Sequence, residues 1–302
     1  MPGHLNRLLV AVGLLLSPGV FGRAAVPHVE QLGQNLYAYV SDNDHSANST
    51  FLIGQHGVLV VDTCLDAVEG EKLLGEIRKI SSLPIQFIVN THYHPDHQGG
   101  NVAVGPDAIV ISSRFTRERT IQLMAQIREA QTKGTGPTAP MPSFRVATET
   151  LTERLTIYLD EDPVEIIAPG PGHTKGDVYV FFPRQRSVAC GDLYMSRSSP
   201  AMDQGSVLNW IRTLDAIEAL PADHFVPGHF EVGSRETFAR FRAYLTDLYT
   251  QVDRLHRSGA SLEEATQRID MKKYADFRQY PQFQATFRDN AETIYRQLEH
   301  PQ

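Results

Sequence analysis

The sequence contains little cysteine and no excess of basic charge. Only two of its 302 residues are cysteine, Cys64 and Cys190, which is too few for the disulfide framework of a small secreted domain. Because cysteine is among the most often buried side chains, we expect two buried free thiols; one bridge in an oxidising compartment is the alternative. The 28 Lys and Arg residues are outnumbered by 35 Asp and Glu and form no basic stripe, so nucleic acid is excluded as an expected partner.

The sequence also lacks an apolar run long enough to cross a membrane at its N-terminus. The run there, Leu8–Leu16, has nine residues, far fewer than the ~20 that a bilayer requires. A basic residue precedes it, helix breakers follow at 17–19, and the small residues Gly22 and Ala24 come next, which is typical of a secretory signal peptide. We therefore expect cleavage of residues 1–24 and a periplasmic or secreted protein without stable membrane insertion. An uncleaved anchor or a lipid tether is the alternative.

Short apolar runs bounded by turn residues alternate with helical patterns through most of the chain. The apolar runs predict strands at Leu36–Val40, Thr50–Ile53, Val58–Asp62, Ile85–Asn90, Ala108–Ser112, Leu155–Leu159, Val164–Ile167, Val178–Phe182, Ser187–Asp192 and His224–Val226. The 3.6-residue pattern predicts helices at Ala67–Ile80, Phe115–Ala130 and Val207–Leu220. This alternation indicates an α/β fold in which helices cover a mixed or parallel sheet.

The last part of the chain has a different pattern, which predicts helices alone. They are expected at Arg235–Arg257, Leu262–Arg268 and Phe283–Leu298. Because few hinge-like residues precede them, we interpret residues 235–302 as a helical extension packed on a catalytic domain of residues 25–234, rather than as a separate domain. Between residues 132 and 142, Thr, Gly and Pro predict a loop that either covers a site as a lid or only connects two elements.

A dense group of metal-binding side chains follows the predicted strand that ends at Asn90. The sequence Thr91-His92-Tyr93-His94-Pro95-Asp96-His97 places three imidazoles and a carboxylate on one turn. Imidazole nitrogens suit zinc and similar transition metals, and a carboxylate adds compensating charge. Three further candidates follow other predicted strands, namely His173, Asp192 and His229. Since a solvated histidine-rich loop would not require these additional residues, the pattern predicts a metal site.

Four motifs occur in a distinctive order along the chain. They are H-x-H-x-D-H at 92–97, G-H-T-x-G-D at 172–177, G-D at 191–192 and P-G-H at 227–229. In this order they resemble the metallo-β-lactamase superfamily, and the resemblance extends over residues 30–230. It implies an enzyme with a four-layer αββα sandwich, in which two sheets pack face to face, helices lie outside and metals occupy a cleft at one edge.

The resemblance also implies a role for each ligand position. It implies two metal ions held by seven side chains: His92, His94 and His173 for the first, Asp96, His97 and His229 for the second, and Asp192 bridging both. We expect two zinc ions per chain, with iron and manganese as alternatives. Asp62 is similar to a family acid that orients the ligand loop, because a ligating histidine needs an acceptor for its other ring N–H. Capping of the following helix is the alternative role of Asp62.

The implied chemistry is hydrolysis. Two ions that share a water lower its pKa from 15.7 to about 7 and generate a bridging hydroxide as nucleophile. We assign catalytic roles to Asp96, which would orient this hydroxide and relay its proton, and to Asp62. The expected substrate is a small molecule with a hydrolysable carbonyl, which includes esters, thioesters, lactones and lactams. Candidate substrate-binding residues are Lys175, Tyr194 and Arg197, with Trp210 in the cleft wall; a surface position is the alternative for each.

Three other functions fit parts of the pattern. By resemblance, true β-lactamases carry Cys or Ser at the position of Asp192, and Cys190 is out of register for it, so we expect weak or absent lactamase activity. A mononuclear iron oxygenase of the persulfide dioxygenase type shares the early motifs. A binding or accessory protein would hold metal without turnover. The helical extension resembles that of glyoxalase II, but it has no basic cluster for glutathione.

Overall fold

The computed structural model describes residues 27–135 and 145–300. The predicted signal peptide and most of the predicted loop at 132–142 therefore lie outside the described residues. Within the two described ranges, no helix is both long and apolar enough to cross a bilayer.

The first half of the chain forms a seven-stranded sheet whose spatial order follows the chain order. Its strands are β1 (His28–Gly33), β2 (Leu36–Val40), β3 (Ser49–Ile53), β4 (Val58–Val61), β5 (Ile85–Val89), β6 (Ile109–Ser113) and β7 (Glu149–Leu151). Strands β1 to β4 pair antiparallel, whereas β4 to β7 pair parallel. The carboxyl ends of β4, β5 and β6 therefore lie at the same edge of the sheet.

The second half forms a six-stranded sheet with the spatial order β13-β12-β11-β10-β9-β8. Its strands are β8 (Arg154–Leu159), β9 (Asp162–Ile167), β10 (Tyr179–Phe182), β11 (Ser187–Gly191), β12 (His224–Pro227) and β13 (Gly233–Ser234). Strands β11 and β12 are parallel, and β9 runs in the same direction because β9 and β11 both pair antiparallel with β10. The carboxyl ends of β9, β11 and β12 thus share one edge.

Eight α-helices are described. They are α1 (Ala67–Ile80), α2 (Pro95–Gln98), α3 (Asn101–Val104), α4 (Arg114–Thr132), α5 (Val207–Glu218), α6 (Arg235–Arg257), α7 (Leu262–Arg268) and α8 (Phe287–Glu299). The prediction of a helix from Phe283 is wrong at its start. Thr286 and Asp289 form a capping box, which satisfies the free N–H groups of the first turn, so α8 begins at Phe287. The preceding Pro281–Phe283 forms a separate 3₁₀ turn.

Three apolar clusters define four layers. One cluster lies between the two sheets and includes Leu59 and Val89 of the first sheet and Val180 of the second. Another fills the space between the outer face of the first sheet and α1, where Leu73 and Ile77 are buried. The third joins the outer face of the second sheet to α5, α6 and α8. The αββα sandwich that the resemblance implies is therefore confirmed.

The helices after residue 234 share their core with the second sheet. The rings of Phe225 in β12 and Phe238 in α6 stack with centroids 4.4 Å apart. Phe241 is fully buried in the same cluster as Trp210 of α5. Because large aromatic side chains contribute much of the apolar area that folding buries, the tail and the second sheet stabilise one another.

Both cysteines are buried free thiols, as predicted. Cys64 belongs to the cluster under α1, whereas Cys190 belongs to the cluster under α5 and α6. Burial raises the pKa of each thiol, which disfavours the reactive thiolate. The two-sheet sandwich separates these clusters, so the alternative of a bridge between the cysteines is wrong for this fold.

Candidate metal centre

The structure brings all seven predicted ligand side chains together at one edge of the sandwich. Four of them follow β5, and the others follow β9, β11 and β12. Asp96 and His97 lie in the short helix α2, for which His94 is the N-terminal cap residue. Since the carboxyl ends of these strands meet at this edge, ligands that are far apart in sequence become neighbours.

The first group of ligand atoms surrounds the Nδ1 atom of His94. It lies 2.9 Å from Nε2 of His92 and 3.2 Å from Nε2 of His173. The Oδ2 atom of Asp192 lies 3.3 Å from Nε2 of His173 and 3.9 Å from Nε2 of His92. These four atoms lie within 4.8 Å of one another, a spacing that can hold one metal ion.

The second group surrounds the carboxylate of Asp96. Its Oδ2 atom lies 3.1 Å from Nε2 of His229 and 3.5 Å from Nε2 of His97. The other oxygen of Asp192, Oδ1, lies 3.2 Å from Nε2 of His97 and 3.6 Å from Nε2 of His229. Asp192 thus directs one oxygen to each group, which is the geometry of a bridging carboxylate.

The donor atoms fit a pair of divalent transition-metal ions. Nε2 of His97 and Oδ1 of Asp192 are buried and have no hydrogen-bond partner, although they lie 3.2 Å apart. Buried polar atoms without partners are costly, and a shared cation would satisfy both. Five imidazoles and two carboxylates match the preference of zinc and its neighbours for nitrogen and oxygen donors.

The electrostatics of the site also favour positive charge. Burial would raise the pKa of Asp192, but His97 and His229 hold that pKa well below its ordinary value. Burial likewise opposes ionisation of Asp96, yet His97 and His229 lower its pKa to about 2. Burial lowers the pKa of His92, helped by the neighbouring imidazoles. The carboxylates are therefore ionised, as metal ligands must be. Burial would lower the pKa of His97 and of His229, but Asp192 and the neighbouring carboxylates raise both. The second ligand group therefore attracts positive charge, which a bound cation would supply.

Asp62 supports the ligand loop from the end of β4. Its Oδ2 atom lies 2.8 Å from Nδ1 of His97, and its two oxygens accept hydrogen bonds from the backbone N–H and the hydroxyl of Thr91 at 2.8 and 2.7 Å. The alternative role as a helix cap is wrong, because α1 is capped by Asp66, which accepts from the N–H of Glu69 at 2.9 Å. Asp62 is placed to orient the His97 ring.

We expect Asp62→Ala to weaken metal binding about tenfold to a hundredfold, because loss of a ligand's hydrogen-bond partner has this effect in other metal sites. Metal affinity would be measured by competition with a chromogenic chelator. Asp66→Ala is the matched control: it removes a carboxylate four residues away and costs about 1 kcal/mol of helix capping, but should leave metal affinity unchanged. Equal affinities of wild type and Asp62→Ala would contradict this role.

Sequence reasoning missed three residues that position ligands. Oε1 of Gln204 lies 2.9 Å from Nε2 of His94 and also accepts a hydrogen bond from the hydroxyl of Tyr93. The hydroxyl of Thr91 lies 3.1 Å from Nδ1 of His92. Gln204 is 110 residues from His94, so no sequence spacing could have identified it. The T-H motif at 91–92 offered a local signal for Thr91.

Asp177 is the third of these residues, and it folds the loop that carries His173. Its carboxylate accepts hydrogen bonds from the backbone N–H of Gly172 at 3.1 Å and of Thr174 at 2.9 Å. Burial raises the pKa of Asp177 to about 7, while the hydrogen bonds from Thr174 act in the opposite direction. The carboxylate at the end of the G-H-T-x-G-D motif therefore has a positioning role.

The four candidate substrate-binding residues differ in exposure, since two are exposed and two are buried. Lys175 and Arg197 are exposed. Tyr194 is fully buried among Phe238 and Phe241, and its hydroxyl donates to Thr237. The prediction that Tyr194 contacts substrate is therefore wrong, because its ring completes the core beneath α6.

Trp210 is fully buried as well. Its indole N–H donates to the carbonyl of Leu193 at 2.9 Å, and its ring lies 5.6 Å from the His173 ring in an edge-to-face arrangement. The expectation that Trp210 forms part of an exposed cleft wall is wrong. It packs behind a ligand and restricts the orientation of that imidazole.

Comparisons with known proteins agree with this fold and site. The sequence profile of the family described as "Metallo-beta-lactamase superfamily" matches residues 42–229. The chain is 27% identical over 224 residues to "2,4-dinitroanisole O-demethylase subunit alpha" of Nocardioides sp. (strain JS1661), covering 73% of this chain and 63% of that protein. It is 22% identical over 248 residues to "Metallo-beta-lactamase type 2" of Bacteroides fragilis, covering 77% of this chain and 92% of that protein.

A solved structure shares the fold over a larger part of the chain. The sec-alkylsulfatase Pisa1 from Pseudomonas sp. superposes with a TM-score of 0.71 and 16% identity, covering 90% of this chain and 50% of that one. This chain thus spans about 63% of the length of the O-demethylase subunit and half of the sulfatase. Because the family match covers more than half of the chain and includes all seven candidate ligands, the protein belongs to the metallo-β-lactamase superfamily.

Proposed function

We propose that this protein is a hydrolase that holds two divalent metal ions, with zinc favoured, and that it cleaves a small-molecule ester, thioester or lactone. The position of Asp192 carries this proposal, since its two oxygens face two different ligand groups. A carboxylate placed in this way would offset charge between two cations, and a pair of cations could supply the activated water and the charge stabilisation that hydrolysis needs. Membership of an enzyme superfamily supports the proposal.

The chain's own residues supply orientation and proton transfer. Two bound ions would provide a hydroxide nucleophile at neutral pH by lowering the pKa of a shared water to about 7. Asp62 orients the ring of His97, and Gln204 orients the ring of His94. Each contacts the ring nitrogen that is not the candidate metal ligand. The side chain of Asp96 is 23% exposed, whereas that of His97 is fully buried, so Asp96 faces the open side. It is placed to orient the attacking water, accept its proton and return that proton to the leaving group.

We propose that esters and thioesters are better substrates than β-lactams. The carboxylate of Asp192 occupies space between the ligand groups that the carboxylate or leaving nitrogen of a lactam would otherwise approach. Cys190 cannot take its place, because the thiol is buried under α5 and its Sγ atom lies 3.8 Å from the carbonyl of Val188.

The test combines metal analysis with a substrate panel on protein that begins at residue 25. We expect about two transition-metal ions per chain, hydrolysis of thioesters, lactones or aryl esters, and loss of turnover on chelation with recovery on addition of zinc. Nitrocefin should be cleaved with a lower kcat/KM than the best thioester or ester, and Asp192→Cys should narrow this difference.

Three outcomes would redirect the assignment. Activity that survives exhaustive chelation would remove the metal mechanism. One iron per chain with consumption of oxygen would favour an oxygenase. A kcat/KM for nitrocefin near ~10⁶ M⁻¹s⁻¹, which is typical of an efficient enzyme, would make β-lactamase the primary assignment.

A further inference from the structure

Phe230, which directly follows the candidate ligand His229, has an unusual backbone conformation. Its φ angle is +72°, in the left-handed region that bulky residues rarely adopt. The side-chain amide of Asn48 donates to the carbonyls of Phe230 at 2.7 Å and of Pro227 at 3.2 Å, which holds this conformation. Backbone strain of this kind persists where the surrounding structure enforces it, and it is concentrated at functional sites.

The strained conformation places the Phe230 ring in a continuous row of aromatic side chains. The centroid of Phe230 lies 6.1 Å from that of His229 and 6.1 Å from that of Tyr280, with the Phe230 and Tyr280 rings nearly parallel at 6°. Phe283 follows at 6.4 Å from Tyr280, and His45 lies 5.6 Å from Phe283. We call Phe230, Tyr280, Phe283 and His45 the aromatic ledge.

The aromatic ledge begins beside the ligand ring of His229 and lies next to the loop that carries Asp96. The loop that carries His45 is joined to α2, because the N–H of Ala47 donates to the carbonyl of Asp96 at 3.1 Å. Asp96 is the ligand that we place at the open side of the metal centre. The ring of Phe283 is 46% exposed, although an apolar ring is more stable when it is buried. The ledge therefore runs from a ligand ring to solvent.

The tail segment that supplies two of these rings is firmly attached. The N–H of Arg278 donates to the carbonyl of Arg197 at 2.8 Å, and the carbonyl of Arg278 accepts from the N–H of Ser199 at 2.9 Å. The guanidinium of Arg278 lies 4.2 Å from the Phe230 centroid and pairs with Glu231 at 2.9 Å. Since its charge is balanced by Glu231, Arg278 supports the ring without presenting a free cation.

We propose that the aromatic ledge binds a flat apolar group of the substrate, such as an aryl ring, beside the scissile carbonyl. This inference rests on the proposed hydrolytic function and adds its substrate class. Aromatic rings stack on one another in offset or edge-to-face arrangements. Although Arg278 lies over one face of Phe230, Phe230 and Tyr280 are partly exposed and Phe283 is 46% exposed, so the ledge keeps aromatic surface for a ligand. A carbonyl held at the metal centre would project its substituent along this row.

The proposal is tested with two thioesters of the same thiol, one acetyl and one phenylacetyl, so that the leaving group is constant. Tyr280→Ala should raise KM for the phenylacetyl thioester about twofold to tenfold, the loss expected for one aromatic contact, and leave kcat little changed. KM for the acetyl thioester should stay the same. Tyr158→Ala is the matched control, because this ring is 69% exposed at the far end of β8 and should affect neither substrate.

A second measurement tests binding at the ledge independently of hydrolysis. Binding of phenylacetate and of acetate to metal-loaded protein is followed by titration calorimetry, without turnover. Weaker phenylacetate binding by Tyr280→Ala, with unchanged acetate binding, would support the ledge even if no thioester were hydrolysed. Failure of wild type to prefer phenylacetate over acetate, or unchanged KM and affinity in Tyr280→Ala, would overturn the ledge even if hydrolysis were demonstrated.

Discussion

His94→Ala should lower kcat/KM by about a thousandfold or more while the protein remains folded, because a metal ion contributes several kcal/mol to stabilising a transition state and each 1.36 kcal/mol is tenfold in rate. Nδ1 of His94 is the atom around which the first ligand group is arranged. The ring is only partly buried, so its removal leaves no large cavity. The measurements are kcat/KM, metal content per chain and far-ultraviolet circular dichroism.

The matched control is His56→Ala. His56 lies in the turn between β3 and β4, at the opposite end of the first sheet from the ligands, and its side chain is 77% exposed. This variant should keep full metal content and activity. Full activity in His94→Ala together with normal metal content would show that the chemistry does not depend on the first ligand group.

Phe241→Ala should reduce the free energy of unfolding by about 3–5 kcal/mol, the usual cost of replacing a buried phenylalanine by alanine. Phe241 is fully buried and touches the rings of Tyr194, Trp210 and Tyr244. Urea unfolding followed by circular dichroism would measure the change. Phe283→Ala serves as the control for the same substitution at an exposed position, where the expected change is within about 0.5 kcal/mol.

The same experiment distinguishes a helical extension from a separate domain. Because α6 shares its core with the second sheet, we expect Phe241→Ala to shift one cooperative transition that includes the sheet. If the residues after 234 formed an independent domain, two transitions would be seen and only one of them would move.

The sequence predicted the central strands and missed three of the four edge strands, namely β1, β7 and β13, for a physical reason. Strand β4 is fully buried in the sandwich, so its sequence is a continuous apolar run. Strand β5 is mostly buried and has one polar residue, Gln86, in an otherwise apolar run. Strand β1, at one edge, buries only one of its six residues, and its apolar residues alternate too weakly with polar ones to be recognised. Strand β7 has only three residues, two of them exposed.

The ligands could be found from the sequence because short motifs carry them, whereas their surroundings could not. Gln204 reaches His94 only because the chain between β11 and α5 returns to the site. The contact between Phe230 and Tyr280 joins residues from the second sheet and the tail. Such contacts depend on the packed fold, and no local spacing encodes them.

Because the candidate ligands come from both sheets, metal binding is coupled to the docking of one sheet on the other. Strand β5 of the first sheet leads into His92, and β11 of the second leads into Asp192, so the complete site exists only when the sheets are docked. An ion that binds only the native state adds RT ln(1 + [L]/Kd) to its stability, about 2.7 kcal/mol at a hundredfold excess over Kd. Loops that hold an ion in this way would therefore also act as a metal-dependent cross-link between the two halves of the molecule.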